Sequence, residues 1–169
     1  MLLHDVADRL NTVADHLPLP DQIQPDPALS EILDDEVRHL ARLLTYLAGE
    51  TAFRHRAAAR YPTRVTATHQ RSTLALARAA EPTGAALAAL GAAVHHLGLL
   101  ADLTHQAPGP ARSRAIASAH QGLVDRLGES RSCLARAAKQ LRAAADTRAA
   151  PAVTATLPPT ASATASRTR

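Results

Sequence analysis

Aromatic side chains are nearly missing from this 169-residue chain: Tyr46, Phe53 and Tyr61 are the whole set. A hydrophobic core here must therefore be aliphatic. The stacking surface that single-stranded nucleic acid uses, aromatic rings interleaved with basic groups, is not written into the sequence. Runs of β-branched residues are also missing, so no segment reads as a strand. Cys133 is the only cysteine. It has no partner for an internal disulfide, which fits a reducing, cytoplasmic setting. The first residues carry Asp5 and Asp8 where a signal peptide would place basic residues before an apolar run. The seven glycines are scattered, and neither GxGxxG nor GxxxxGK[ST] occurs. Cys133 has no base beside it, only Arg131 and Arg136, so a nucleophilic centre is not indicated. The expectation is a protein without catalytic activity and without a cofactor.

What is abundant is alanine, the best helix former. Eighteen of the nineteen basic residues are arginine, with Lys139 the exception. Arginine favours bidentate contacts to carboxylate or phosphate. However, Ala, Arg, Gly and Pro are used freely together, as GC-rich coding produces, and that explains the bias more simply.

Helical periodicity runs through most of the chain. Leu3, Val6, Leu10, Val13 and Leu17 recur at threes and fours and predict a first helix over residues 2–17, stopped by Pro18 and Pro20. The same residues match the loose spacing of a helix-turn-helix, with Ala7, Asn11 and Leu17 in its key positions. Pro18 would leave its second helix under two turns, so one amphipathic helix is the better account. A stiff linker, 18–26, follows. A second helix is expected from Pro27 to about Arg60, with Asp26 as its N-cap and acidic residues in its early turns. Its apolar seam is Leu33, Val37, Leu40, Leu44, Leu47 and Thr51. A third helix over about 63–80 ends at a break around Glu81-Pro82-Thr83-Gly84. The next rod, Thr83–Ala101, carries no formal charge and is apolar all round. Such a helix is normally enclosed by others. The stretch is long enough to cross a bilayer. But His95 and His96 interrupt it and no basic residue lies between Arg78 and Arg112 to anchor its ends, so no membrane is expected. Whether Pro82 separates two helices or bends one rod is open. After the turn Ala107-Pro108-Gly109-Pro110, a last helix runs to about Arg148 with the seam Ile116, His120, Leu123, Leu127, Ser130, Leu134, Ala137, Leu141 and Ala144.

The expected architecture is all-α: an up-and-down bundle of about four helices in a single domain, 1–150, the long rods including one kinked near Pro82. Residues 151–169, mostly Ala, Thr, Ser and Pro, are expected to be a disordered tail. Strict heptads in the second and last helices (Leu33, Val37, Leu40, Leu44, Leu47; Ile116, Leu123, Leu127, Leu134, Leu141) suggest coiled-coil-like packing, within the chain or between chains.

Charge is segregated. Residues 1–36 hold nine carboxylates and one arginine, whereas residues 37–80 hold eight arginines and one glutamate. Arg56 and Arg60, then Arg64, Arg71 and Arg78 at sevens, form a ridge able to follow a phosphate backbone or an acidic protein. Its bland alternative is a solvated face. Glu36/His39 and Asp102/His105 are carboxylate–histidine pairs at i, i+3, the unit from which dinuclear metal sites in bundles are made. Such sites want further glutamates on inner faces, and Glu36 and His39 flank the seam on the solvent side. The leading expectation is a helical-bundle protein acting through a protein partner or as a homo-oligomer. A nucleic-acid accessory role through the arginine ridge and a metal-binding bundle are the alternatives.

Overall fold

In a computed structural model, residues 2–23 and 27–149 are described, and they form an all-α four-helix bundle. The helices are α1 (Leu2–His16), α2 (Pro27–Arg60), α3 (Ala67–Thr104) and α4 (Pro110–Ala149), with short 3-10 turns at Pro20–Gln22 and Pro62–Arg64. No strand occurs among the described residues. Asp26 and the tail 151–169 lie outside them.

The α3–α4 hairpin is the spine. At 38 and 40 residues, the two helices are each about 55–60 Å long. Arg112 fastens the hairpin: its Nε donates to the Leu103 carbonyl at 2.7 Å and its Nη2 to that of Thr104 at 3.2 Å. A guanidinium is thereby placed on the negative end of α3, where carbonyls lack helical partners. The other end of α3 is capped by Thr66, whose hydroxyl accepts from the His69 amide.

Of the two alternatives left open at Pro82, one continuous rod is the one observed, with Pro82 inside α3, and this helix starts at Ala67 rather than near residue 63. The ring removes one helical hydrogen bond. Burial compensates: Pro82 and its neighbours Ala79, Thr83 and Ala86 are all buried, and the Thr83 hydroxyl donates to the Ala79 carbonyl at 2.7 Å. The inner seam of α3 is Ser72, Leu76, Ala79, Thr83, Ala86, Leu90, Ala93, Leu97 and Leu100. It is a strict heptad run hidden by its small residues. Small side chains let the helices approach closely, and Ser130 of α4 donates to the Ala86 carbonyl across the interface at 3.2 Å.

Enclosure of the charge-free rod on all sides is not observed. Thr83, Ala86, Ala89, Leu90, Ala93 and Leu100 are buried, but Ala85, Ala88, Gly91, Val94, His95, Gly98 and Leu99 are exposed. With α2 and α4 beside it, α3 has one face uncovered. By length and hydropathy this helix could cross a membrane.

The α1 seam is buried as its periodicity predicts, Leu3, Val6, Leu10, Val13 and Leu17 included. One continuous helix leaves no turn for a helix-turn-helix. It lies antiparallel to α4, held by Arg142–Asp8 at 2.8 Å and by Arg131 donating to the Leu17 carbonyl. On α4 the predicted seam is reproduced: Leu123, Leu127, Ser130, Leu134, Ala137 and Leu141 are buried, with Ile116 and His120 half-buried at its open end. On α2 the buried face is turned from the predicted one. Leu33, Leu40 and Leu47 are buried as expected, but Leu29, Glu36 and Leu43 join them while Val37 and Leu44 are only half-buried. The cause is that α2 serves two neighbours, with Glu36 and Leu43 toward α1 and Leu44 toward Gly84 of α3. The leucines of both seams are thus largely occupied within the chain.

Candidate functional site

α1 is 15 residues long and covers only part of α2. From Ala48 to Arg71 no residue is buried. The second half of α2, the turn after it and the first turn of α3 make an open hairpin end. Residues 51–80 contain six arginines and two histidines but not one carboxylate. Arg54 pairs with Glu50 at 2.7 Å, one turn earlier. Arg56, Arg60, Arg64, Arg71 and Arg78 are all exposed, and none forms an ion pair among the described residues.

The ridge differs in one respect from its expected form. Arg64 lies in the 3-10 turn, not on α3, so of the three arginines spaced at sevens only Arg71 and Arg78 share a helical face, while Arg56 and Arg60 share one on α2. Arg56, Arg60, Arg64 and Arg71 gather around the turn, and Arg78 sits about 10 Å further along α3 from Arg71. No aromatic ring of Phe or Tyr is buried in the core: all three are on the surface, two of them at this end, with Phe53 61% exposed and Tyr61 51%. Arg64 places its guanidinium carbon 5.5 Å from the Tyr61 ring centroid, within cation–π range. The sequence shows the charge but not the rings' exposure, because α2 loses its α1 cover just where Phe53 falls.

A second feature lies between α1 and α2, a cleft of about 620 Å³ floored by Val6, Val13 and Leu43. Glu36 lines it and is buried, 5% exposed, which corrects its expected place on the solvent side. One carboxylate oxygen is 2.9 Å from His16 Nδ1; the other is buried without a hydrogen-bond partner among the described residues. His39 and Arg42 are exposed along the rim. Tyr46, also on the rim, has its phenol pushed above the usual value, first by partial burial and then by the Glu50 carboxylate. The His16–Glu36 link was not legible beforehand, since the two residues are twenty apart on different helices.

The second carboxylate–histidine pair stands elsewhere. Asp102 is exposed on the last turn of α3 and accepts from Gln106 at 3.2 Å, and His105 follows as the C-cap. No group of three or more His, Cys, Asp or Glu side chains among the described residues is placed to hold a metal ion. Of the remaining histidines, His96 packs its ring against Gly122 of α4, and its Nδ1 is buried without a hydrogen-bond partner among the described residues. Cys133 is a buried free thiol 3.5 Å from Arg136. No family model matches the chain, and no curated protein or solved structure shows significant similarity to it.

Proposed function

We propose that this protein works by binding an acidic protein partner at the α2–α3 hairpin end, with no chemistry of its own. One observation carries the reading: an acid-free stretch of thirty residues, 51–80, presents four unpaired arginines around its turn together with exposed Phe53 and Tyr61. Unpaired guanidinium groups repel one another and favour an incoming carboxylate. Aromatic and arginine side chains are also those that most often dominate binding energy at protein interfaces. A solvated basic face has no need of a phenylalanine held out in water.

Duplex nucleic acid is the competing partner, since the same arginines suit phosphate. The two are separated by fluorescence anisotropy of the full chain with a labelled Glu/Asp-rich peptide containing leucine, and with a duplex oligonucleotide, across a salt series. The proposal expects peptide binding that is lost in Arg60→Glu/Arg64→Glu/Arg71→Glu and weakened about tenfold or more in Phe53→Ala/Tyr61→Ala, as removal of hot-spot rings does. Duplex binding with a steep salt slope and no dependence on the rings would transfer the site to nucleic acid. Absence of binding to either probe at low salt would refute it.

A further inference from the structure

The uncovered face of α3 has an order that the monomer does not use. Arg78, Glu81, Ala85, Ala88, Ala92, His95, Leu99 and Asp102 alternate threes and fours, a second heptad row on the side away from the buried seam. All are exposed except Ala92, which is half-buried. Between the two ends no formal charge occurs from Pro82 to Ala101. Beside the row, Gly91 and Gly98 have open space where a Cβ would stand, and Val94 is 44% exposed. Nothing in the fold of one chain calls for a solvent-facing helix with so little polar character, since surface helices are normally polar on the outer side.

The row is complementary to itself. Laid antiparallel on a second copy with the two-fold axis passing near Leu90, Arg78 meets Asp102, Glu81 meets Leu99, Ala85 meets His95, and Ala88 meets Ala92. These are the alternating layers of an antiparallel coiled coil, and each occurs twice by symmetry. The charged residues that end the row then pair with opposite charges at both ends. Arg78 has no ion pair among the described residues to give up. A parallel arrangement would set Arg78 against Arg78 and Asp102 against Asp102. In the middle, alanines allow the close helix approach that such a pair needs.

We infer that the outer face of α3 is a homodimer interface, in which two copies pair antiparallel through Arg78–Asp102. Of the arginine-rich turn only Arg71 continues this face, one heptad before Arg78 and outside the paired span 78–102, so the turn lies beyond each end of the pairing. A bilayer is the other occupant that an apolar helix of this length invites, and the experiment discriminates against it.

Sedimentation of the full chain without detergent, from micromolar to submillimolar concentration, is expected to give a dimer. Ala88→Glu places a charge at the centre of the interface and should give a monomer with unchanged helical circular dichroism and melting, because Glu is a good helix former at an exposed position. Arg78→Asp and Asp102→Arg should each weaken the dimer by about tenfold, as like charges then face each other across it. The double exchange Arg78→Asp/Asp102→Arg should restore it, which only the antiparallel register allows. A monomer throughout, a dimer untouched by Ala88→Glu, failure of the double exchange to restore, or partition of the chain into phosphatidylcholine vesicles would each overturn the inference.

Discussion

Gly122 offers a sharp test of how α3 and α4 are fitted together. A Cβ at this position would lie 2.4, 2.6 and 2.8 Å from Cε1, Nε2 and Nδ1 of the His96 ring, closer than non-bonded atoms tolerate. Two effects of opposite sign follow for Gly122→Ala. Replacing a mid-helix glycine by alanine gains about 1 kcal/mol of helix propensity. Forcing the half-buried ring out of its place costs about 1–3 kcal/mol, the usual range for overpacking. The clash should prevail, leaving the variant about 0–2 kcal/mol less stable. In a His96→Ala background the ring is gone, and the same substitution should stabilise by about 1 kcal/mol. The two backgrounds therefore differ by about 1–3 kcal/mol, a coupling of the size found for residues in contact. For a chain of this size each kcal/mol moves the melting midpoint by roughly 2–4 °C. Thermal melts of the four proteins, followed by circular dichroism at 222 nm (the standard helix band), would show the sign change. An equal shift in both backgrounds, or a rise on Gly122→Ala with His96 in place, would refute the packing argument.

Other expectations concern single side chains. His16→Ala should cost about 1–3 kcal/mol in urea unfolding, since it strips from a buried carboxylate its one hydrogen bond among the described residues, whereas Glu36→Leu should be neutral or stabilising because the His16 left behind is solvated; equal losses in the two variants would contradict this. Ser130→Ala should cost about 1 kcal/mol by removing the cross-helix bond to the Ala86 carbonyl, while Ser132→Ala, whose hydroxyl is exposed and bonds back to Gly128, should be silent in the same denaturation assay. The raised phenol of Tyr46 means that the folded state holds this proton more tightly than the unfolded chain. That contribution is intact below the ordinary phenol value of 10.0 and is lost as pH climbs through the folded value. Tyr46→Phe should consequently flatten the fall of stability at alkaline pH, and parallel alkaline stability curves for the two proteins would rule the effect out.

Much of the bundle follows from local pattern. The seam of α1 and that of α4 were readable because leucine, with valine on α1, marks most inward positions, and a leucine that alternates threes and fours has one place to go. The turn at 107–110 was readable from its two prolines and a glycine. The seam of α3 was not, because Ala79, Thr83, Ala86 and Ala93 look no different from the alanines on its outside, and close packing selects them by size rather than by hydrophobicity. Pro82 left the matter open for a related reason: its local penalty favours a break, and the contacts of both flanking turns with the rest of the bundle keep the helix whole.

At the candidate sites, the charge of the arginine-rich turn was legible, since an acid-free stretch of thirty residues is a fact of sequence. The exposure of Phe53 and Tyr61 beside it was not, because it depends on where α1 ends relative to α2. Glu36 shows the same limit. Its residue type argued for solvent, and it is buried because α2 must present one face to α1 and another to α3, which turns the helix away from its most leucine-rich line. Sequence alone thus determined the helices, the aliphatic core and the segregation of charge, all set by neighbours within a turn or two. Which faces are covered and which are left for a partner was decided by the tertiary structure, because coverage depends on the lengths and offsets of helices far apart in the chain.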